Sequence, residues 1–82
     1  MKVLVPLTEG FEEIEAVTII DVLRRADIEV IVAGLKRETI CGSHKIKISP
    51  DIYLNDCNVQ EFDMIILPGE CQEVITFKKT KF

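Results

Sequence analysis

Two apolar runs, KVLVPL at Lys2–Leu7 and IEVIVAGL at Ile28–Leu35, bracket a segment whose apolar residues recur at helical spacing. Strand, helix and strand within about thirty-five residues is the length of a right-handed crossover joining parallel strands. Both runs are continuously apolar rather than alternating, the pattern of strands covered on both faces. The chain is therefore expected to be an α/β protein with a parallel sheet. Pro6 has no N–H to give a ladder, so it belongs at the carboxyl end of the first strand, where pairing gives out.

Between the runs, the spacing predicts a helix over Phe11–Ala26, with Ile14, Val17, Ile20 or Val22, and Leu23 forming an apolar stripe. Glu12, Glu13 and Glu15 crowd its first turn and Arg24 and Arg25 its last, an order that complements the helix dipole. Ile19 and Val22 widen the stripe beyond one face, so the helix has a second surface that a partner chain could cover. Further on, Thr39–Cys41 and Lys45–Ile48 flank Gly42-Ser43, which predicts a small antiparallel pair ended by Ser49-Pro50-Asp51.

Tyr53–Phe62 reads as a polar connection with room for a turn of helix. It leads to Met64-Ile65-Ile66-Leu67, a third buried parallel strand, and to the turn Pro68-Gly69. Glu70–Thr76 has helical character, and Phe77–Phe82 reads as a frayed end. With no internal repeat or linker, residues 1–82 form one domain, its parallel strands in the order 2-1-3 with a small antiparallel excursion.

Composition narrows the function classes. A chain of 82 residues, 48% hydrophobic and 29% charged, makes one small globular domain. A domain of that size buries only about 60% of the surface its unfolded chain exposes, so an apolar face left open favours self-association. The net charge of −4 arises within residues 1–35, which carry three basic and seven acidic side chains and would repel phosphate backbones. Lys78, Lys79 and Lys81 read as a solubilising tail, so no nucleic-acid partner is expected.

Cys41, Cys57 and Cys71 are odd in number and lack metal-ligand spacing, which points to reduced thiols, no disulfide framework and no cysteine-based metal site. Nothing resembles a signal h-region or an eighteen-residue apolar run, so a cytoplasmic protein without membrane attachment is expected. No cofactor is implied.

In an open parallel sheet, the loops at the carboxyl ends of the strands collect ligands. Thr8–Glu13 and Pro68–Cys71 should therefore face one crevice. The first loop lacks a Gly-rich phosphate cradle and a Walker lysine, and its carboxylates disfavour nucleotides. It also lacks the paired aspartates of a receiver-type metal site. Glu15, read from the helix alone, is a solvated partner of the dipole. His44 lies in the GSHK turn, where a surface hydrogen bond is the plain reading. Cys41 and Cys57 read as packing residues, and Cys41, beside a glycine turn, is oxidisable if exposed.

Taken together, KVLVPLTEGFEEIEAVTIIDVLRRADIEVIVAGL, GSHKIKISPD and FDMIILPG resemble the amino-terminal half of the ThiJ/PfpI family, within the class I glutamine amidotransferase-like superfamily. The resemblance spans about residues 2–69 and leaves 70–82 as a divergent tail. EGFEEIEA and DVLRRA carry it in combination. It implies a flavodoxin-like, Rossmann-like fold and a cysteine-dependent role of glyoxalase, deglycase, peptidase, chaperone or thiazole-biosynthesis type.

By this resemblance Glu15 matches the glutamate whose carboxyl group points at the nucleophilic sulfur, and Gly69 matches the first glycine of the LPGG turn. Glu70 stands where the family has its second glycine, so its side chain could fill the backbone-lined oxyanion pocket. The family's cysteine elbow and histidine lie beyond the residues present here, leaving Cys71 as the one surrogate nucleophile near the turn.

The 82-residue chain is therefore expected to be a truncated, catalytically incompetent relative, with a small carbonyl substrate only if a complete site is assembled. A gene product continuing past Phe82 would restore an enzyme. The alternative is a non-enzymatic module that oligomerises with itself or with a related chain. Its contacts would use the helix or the outer edge of Met64–Leu67, unless Glu73–Phe82 folds back to cap that edge.

Overall fold

Val3, Leu4, Val5 and Leu7 are all buried, so the first apolar run is covered on both faces as its composition dictates. In a computed structural model, which describes residues 1–36 and 38–68, this run is β1 (Lys2–Leu7). It is followed by α1 (Glu13–Arg25) and β2 (Glu29–Gly34). The β1–β2 pairing is parallel and unbroken, from Lys2 opposite Glu29 to Leu7 opposite Gly34. The crossover is thus the one the spacing predicts.

The excursion is a two-stranded antiparallel hairpin, β3 (Ile40–Cys41) and β4 (Lys47–Ile48), as expected from the residues flanking Gly42-Ser43. Its turn is closed by Lys45 N–H donating to Gly42 O and Gly42 N–H donating to Ile46 O, with Lys45 in the left-handed region at φ 72°. That is a type I turn followed by a left-handed residue, a common three-residue hairpin solution.

Then come β5 (Ile52–Tyr53), two single-turn 3-10 segments (Leu54–Asp56 and Val59–Glu61) and β6 (Met64–Ile65). The main sheet has the order β5-β2-β1-β6, with its described pairs parallel. The expected 2-1-3 arrangement is present, and β5 extends it by a short strand on the outer side of β2. The polar connection contains helical turns as predicted, but its first residue, Tyr53, ends a short strand that begins at Ile52.

The strand at Met64 and the helix face differ from expectation. Met64–Leu67 is an edge rather than a buried strand among the described residues, with Met64 and Leu67 exposed, because β1 alone flanks it. Its regular pairing also stops early. Leu4 O accepts from Ile66 N at 2.9 Å, so Leu4 and, two residues on, Pro6 turn their backbone groups toward β6. Pro6 has no hydrogen to give Ile66, and the β1–β6 ladder gives out there, while β1–β2 pairing continues to Leu7.

The helix is also rotated from the expected stripe. Ala16 and Ile20 are buried and Leu23 is half-buried, whereas Ile14, Val17 and Val22 are exposed, Ile14 at 81%. Glu13, one of the three glutamates crowding the first turn, is buried.

Two apolar layers sandwich the sheet. Val3, Val5 and Leu7 join Phe11, Ala16, Ile20, Val30, Val32 and Ile40 on the helix side. Leu4, Ala33 and Phe62, with Ile31, Ile52, Leu54, Cys57 and Ile65 packed around them, form the other.

The helix ends in a Schellman arrangement: Asp27 N–H donates to Arg24 O and Ile28 N–H to Leu23 O, both 3.0 Å, with Asp27 at φ 62°. Leu23 and Ile28 both pack onto the helix-side core, the apolar contact that accompanies such a cap.

Candidate functional site

The carboxyl end of β1 runs into Thr8, which is buried, and then into Gly10, whose φ of 87° suits a residue without a side chain. The hairpin holds this loop. Gly10 N–H donates to Cys41 O at 2.8 Å, Cys41 N–H to Glu9 Oε2 at 2.9 Å, and Ser43 N–H to Phe11 O at 2.9 Å. Lys36 Nζ lies 3.4 Å from Glu9 Oε2. The Cys41 amide, with help from Lys36, lowers the Glu9 pKa below the ordinary carboxylate value.

Glu13 is the centre of this junction. Its Oε2 accepts from the backbone N–H of His44 at 2.7 Å and of Ile46 at 3.3 Å, and its Oε1 lies 3.3 Å from both Ser43 Oγ and His44 Nδ1. Burial works to raise its pKa, but the N–H groups of Glu13 itself, His44 and Ile46, with the His44 ring, outweigh it and bring the value down to about 2. Gly42 is required here, since a Cβ on it would run into the Glu13 carboxylate.

Glu15, one half-turn further along α1, is exposed and has no hydrogen-bond or ion-pair partner among the described residues. It stands on the first turn of the crossover helix, beyond the carboxyl end of β1, where the strand-end loops collect. Pro68, which closes the second strand-end segment, is buried. Gly69, Glu70 and Cys71 lie outside the described residues, as do the helical reading of Glu70–Thr76 and the proposed internal cap.

His44 makes the surface hydrogen bonds expected of it, through Nδ1 to Ser43 and Glu13, with its side chain 80% exposed. Cys41 and Cys57 are free and half-buried. Burial, reinforced by Glu61, pushes the Cys57 thiol up, so it stays protonated and weakly nucleophilic at neutral pH. Sequence reading placed Glu15 on the helix correctly and missed the meeting of Glu12, Glu13, Ser43 and His44. The signal available was the glycine of the GSH turn, which gives the carboxylate its room.

A parallel sheet with a crossover helix packed on one face, and strand-end loops gathered at its carboxyl edge, is the arrangement of the flavodoxin-like α/β class. The chain belongs to the DJ-1/PfpI family, whose profile matches residues 1–79. It is 44% identical over 69 residues to Protein DJ-1 homolog B of Arabidopsis thaliana, covering 83% of this chain and 16% of that protein. It is 35% identical over 69 residues to a deglycase of Pyrococcus abyssi, covering 84% of this chain and 42% of that one.

Among solved structures, DJ-1beta of Drosophila melanogaster superposes with a TM-score of 0.79 at 43% identity, over 83% of this chain and 37% of that one. The chain thus spans less than half the length of these relatives. No helix among the described residues is long and apolar enough to cross a membrane.

Proposed function

We propose that these residues form the glutamate-bearing half of a cysteine-dependent centre of DJ-1 or deglycase type, acting on small carbonyl compounds or their adducts in the cytoplasm. The observation that carries the reading is Glu15: an exposed, unpaired carboxylate on the first turn of the crossover helix, at the ligand-collecting end of the sheet. It lies in a segment 35% identical to a protein named as a deglycase. Facing a thiol, a carboxyl group there would, in its protonated form, donate a hydrogen bond to the thiolate and hold it ionised.

The 82 residues by themselves are proposed to be inactive. Neither described thiol hydrogen-bonds a base, and a centre without its nucleophile loses several orders of magnitude in rate. The experiment is methylglyoxal consumption by the purified 82-residue chain, alongside the intact mass of the native polypeptide. No turnover by the short chain, with turnover abolished by Glu15→Ala in any longer native product, supports the reading. Turnover by the short chain that disappears in Cys71→Ala would overturn it and make Cys71 the nucleophile.

A second reading, self-association, is favoured by one specific observation. Ile14 and Val17 stand exposed with Ile46 around an open hollow of about 360 Å³ on α1. A monomeric domain has little reason to keep such a cluster uncovered. Sedimentation at micromolar concentration tests it, and a single folded monomer refutes it.

A further inference from the structure

The first turn of α1 and the β3–β4 turn bring four donor atoms of different chemistry together: a carboxylate oxygen from Glu12, another from Glu13, the Ser43 hydroxyl and the His44 imidazole. Ser43 Oγ is 3.5 Å from Glu12 Oε1, 3.3 Å from Glu13 Oε1 and 3.1 Å from His44 Nδ1. His44 Nδ1 is 3.3 Å from Glu13 Oε1. The ligating atoms of Glu12, Glu13 and His44 all lie within 4.8 Å of one another. Donors about 2.1 Å from a tetrahedral ion stand about 3.4 Å apart, a spacing that Glu13 Oε1 and His44 Nδ1 already have at 3.3 Å and that Glu12 reaches by a small movement of its side chain.

We propose that Glu12, Glu13 and His44 form a binding site for a divalent transition-metal ion of the zinc type, with Ser43 or water in the fourth position. The two oxygens of Glu13 divide the work. Oε2 is held by the His44 and Ile46 amides, which fixes the carboxylate plane, and Oε1 is left turned toward the imidazole and the hydroxyl. Such outer hydrogen bonds orient a ligand before the ion arrives.

Two carboxylates balance a 2+ charge, whereas the positive end of the helix dipole amounts to about half a charge and does not prevent binding. An imidazole in the set selects a zinc-like ion over calcium or magnesium, which prefer oxygen alone. Glu12 and His44 are exposed and can close by rotamer adjustment, while Glu13 is already in place. The proposal is independent of any activity at Glu15.

The test is titration of the 82-residue chain with Co²⁺, followed by visible absorption, and with Zn²⁺ against a competing chelator. One ion per chain is expected, with a cobalt spectrum lacking the sulfur charge-transfer band that Cys41, Cys57 or Cys71 would produce. His44→Ala and Glu12→Gln, both at exposed positions, should each weaken Zn²⁺ binding by about 10–100-fold while leaving the circular dichroism spectrum unchanged. Binding that is absent, or equally strong in both variants, overturns the proposal.

Discussion

Asp51 pairs with Val32 through its backbone and its side chain at once: its N–H donates to Val32 O at 2.7 Å, and its Oδ2 accepts from Val32 N–H at 2.9 Å. The side chain stands in for a strand neighbour just before β5 begins pairing with Ala33 and Gly34. Asp51 also meets Arg24 at 3.1 Å, but both side chains are about half exposed, and such a pair contributes about 0–1 kcal/mol.

The amide bond should therefore dominate. Asp51→Ala, which strands the Val32 N–H, is expected to cost about 1–2 kcal/mol, whereas Asp51→Asn, which keeps an acceptor, costs less than about 1 kcal/mol. Urea denaturation of both variants, with Arg24→Gln as the control for the ion pair, checks the ordering.

Acid should loosen the junction between α1 and the hairpin. The folded pKa of Glu13 is depressed to about 2 from an ordinary 4.5, so the folded state binds fewer protons than the unfolded chain between these values. The stability this group contributes is fully present above about pH 4.5 and is lost as pH falls toward 2. Glu9 shifts in the same direction and adds to the trend. Urea midpoints measured from pH 6 to pH 2 should fall in this window, and Glu13→Gln should flatten the fall.

Two left-handed positions are held by residues that bear a Cβ. Asp27→Gly in the helix cap and Lys45→Gly in the hairpin turn are each expected to stabilise the protein, by about 0.5–1 kcal/mol, since glycine adopts this conformation without the steric cost. Neither change should alter the far-ultraviolet circular dichroism. Thermal melts read the gain directly.

Self-association through α1, if it occurs, should depend on Ile14. Ile14→Lys adds a charge where the side chain is 81% exposed, so folding stability should change by less than about 0.5 kcal/mol. The same change should shift the sedimentation profile to monomer. A profile that is unaltered places the contact elsewhere.

The β1-α1-β2 crossover was legible because its signals are local: Val3–Leu7 and Val30–Ala33 are continuous apolar runs, and a helical period separates them. The rotation of α1 was not legible. Ile14 and Val17 look inward on periodicity alone, but the helix is also anchored by Glu13, whose partners His44 and Ile46 lie more than thirty residues away. Ile52–Tyr53 escaped notice because a two-residue strand has no period to read. Glu15 was locatable by its place in EGFEEIEA, while the assembly of Glu12, Glu13 and His44 exists only once the hairpin has folded against the helix.

The missing hydrogen of Pro6 gives the sheet unequal mechanical halves. The β1–β2 ladder is continuous over six residues and should exchange its amide hydrogens last, as one cooperative unit. The described β6 ladder spans two residues, and beyond it β6 is held by the Ile66–Leu4 bond and by the packing of Ile65 and Ile66 on opposite faces of the sheet. The strand end leading to Pro68, itself buried, therefore rests on side-chain burial more than on backbone pairing. The amide hydrogens of β6 should then exchange before those of β1–β2, and a substitution at Pro6 that restores an N–H should slow that exchange by adding a rung to the shorter ladder.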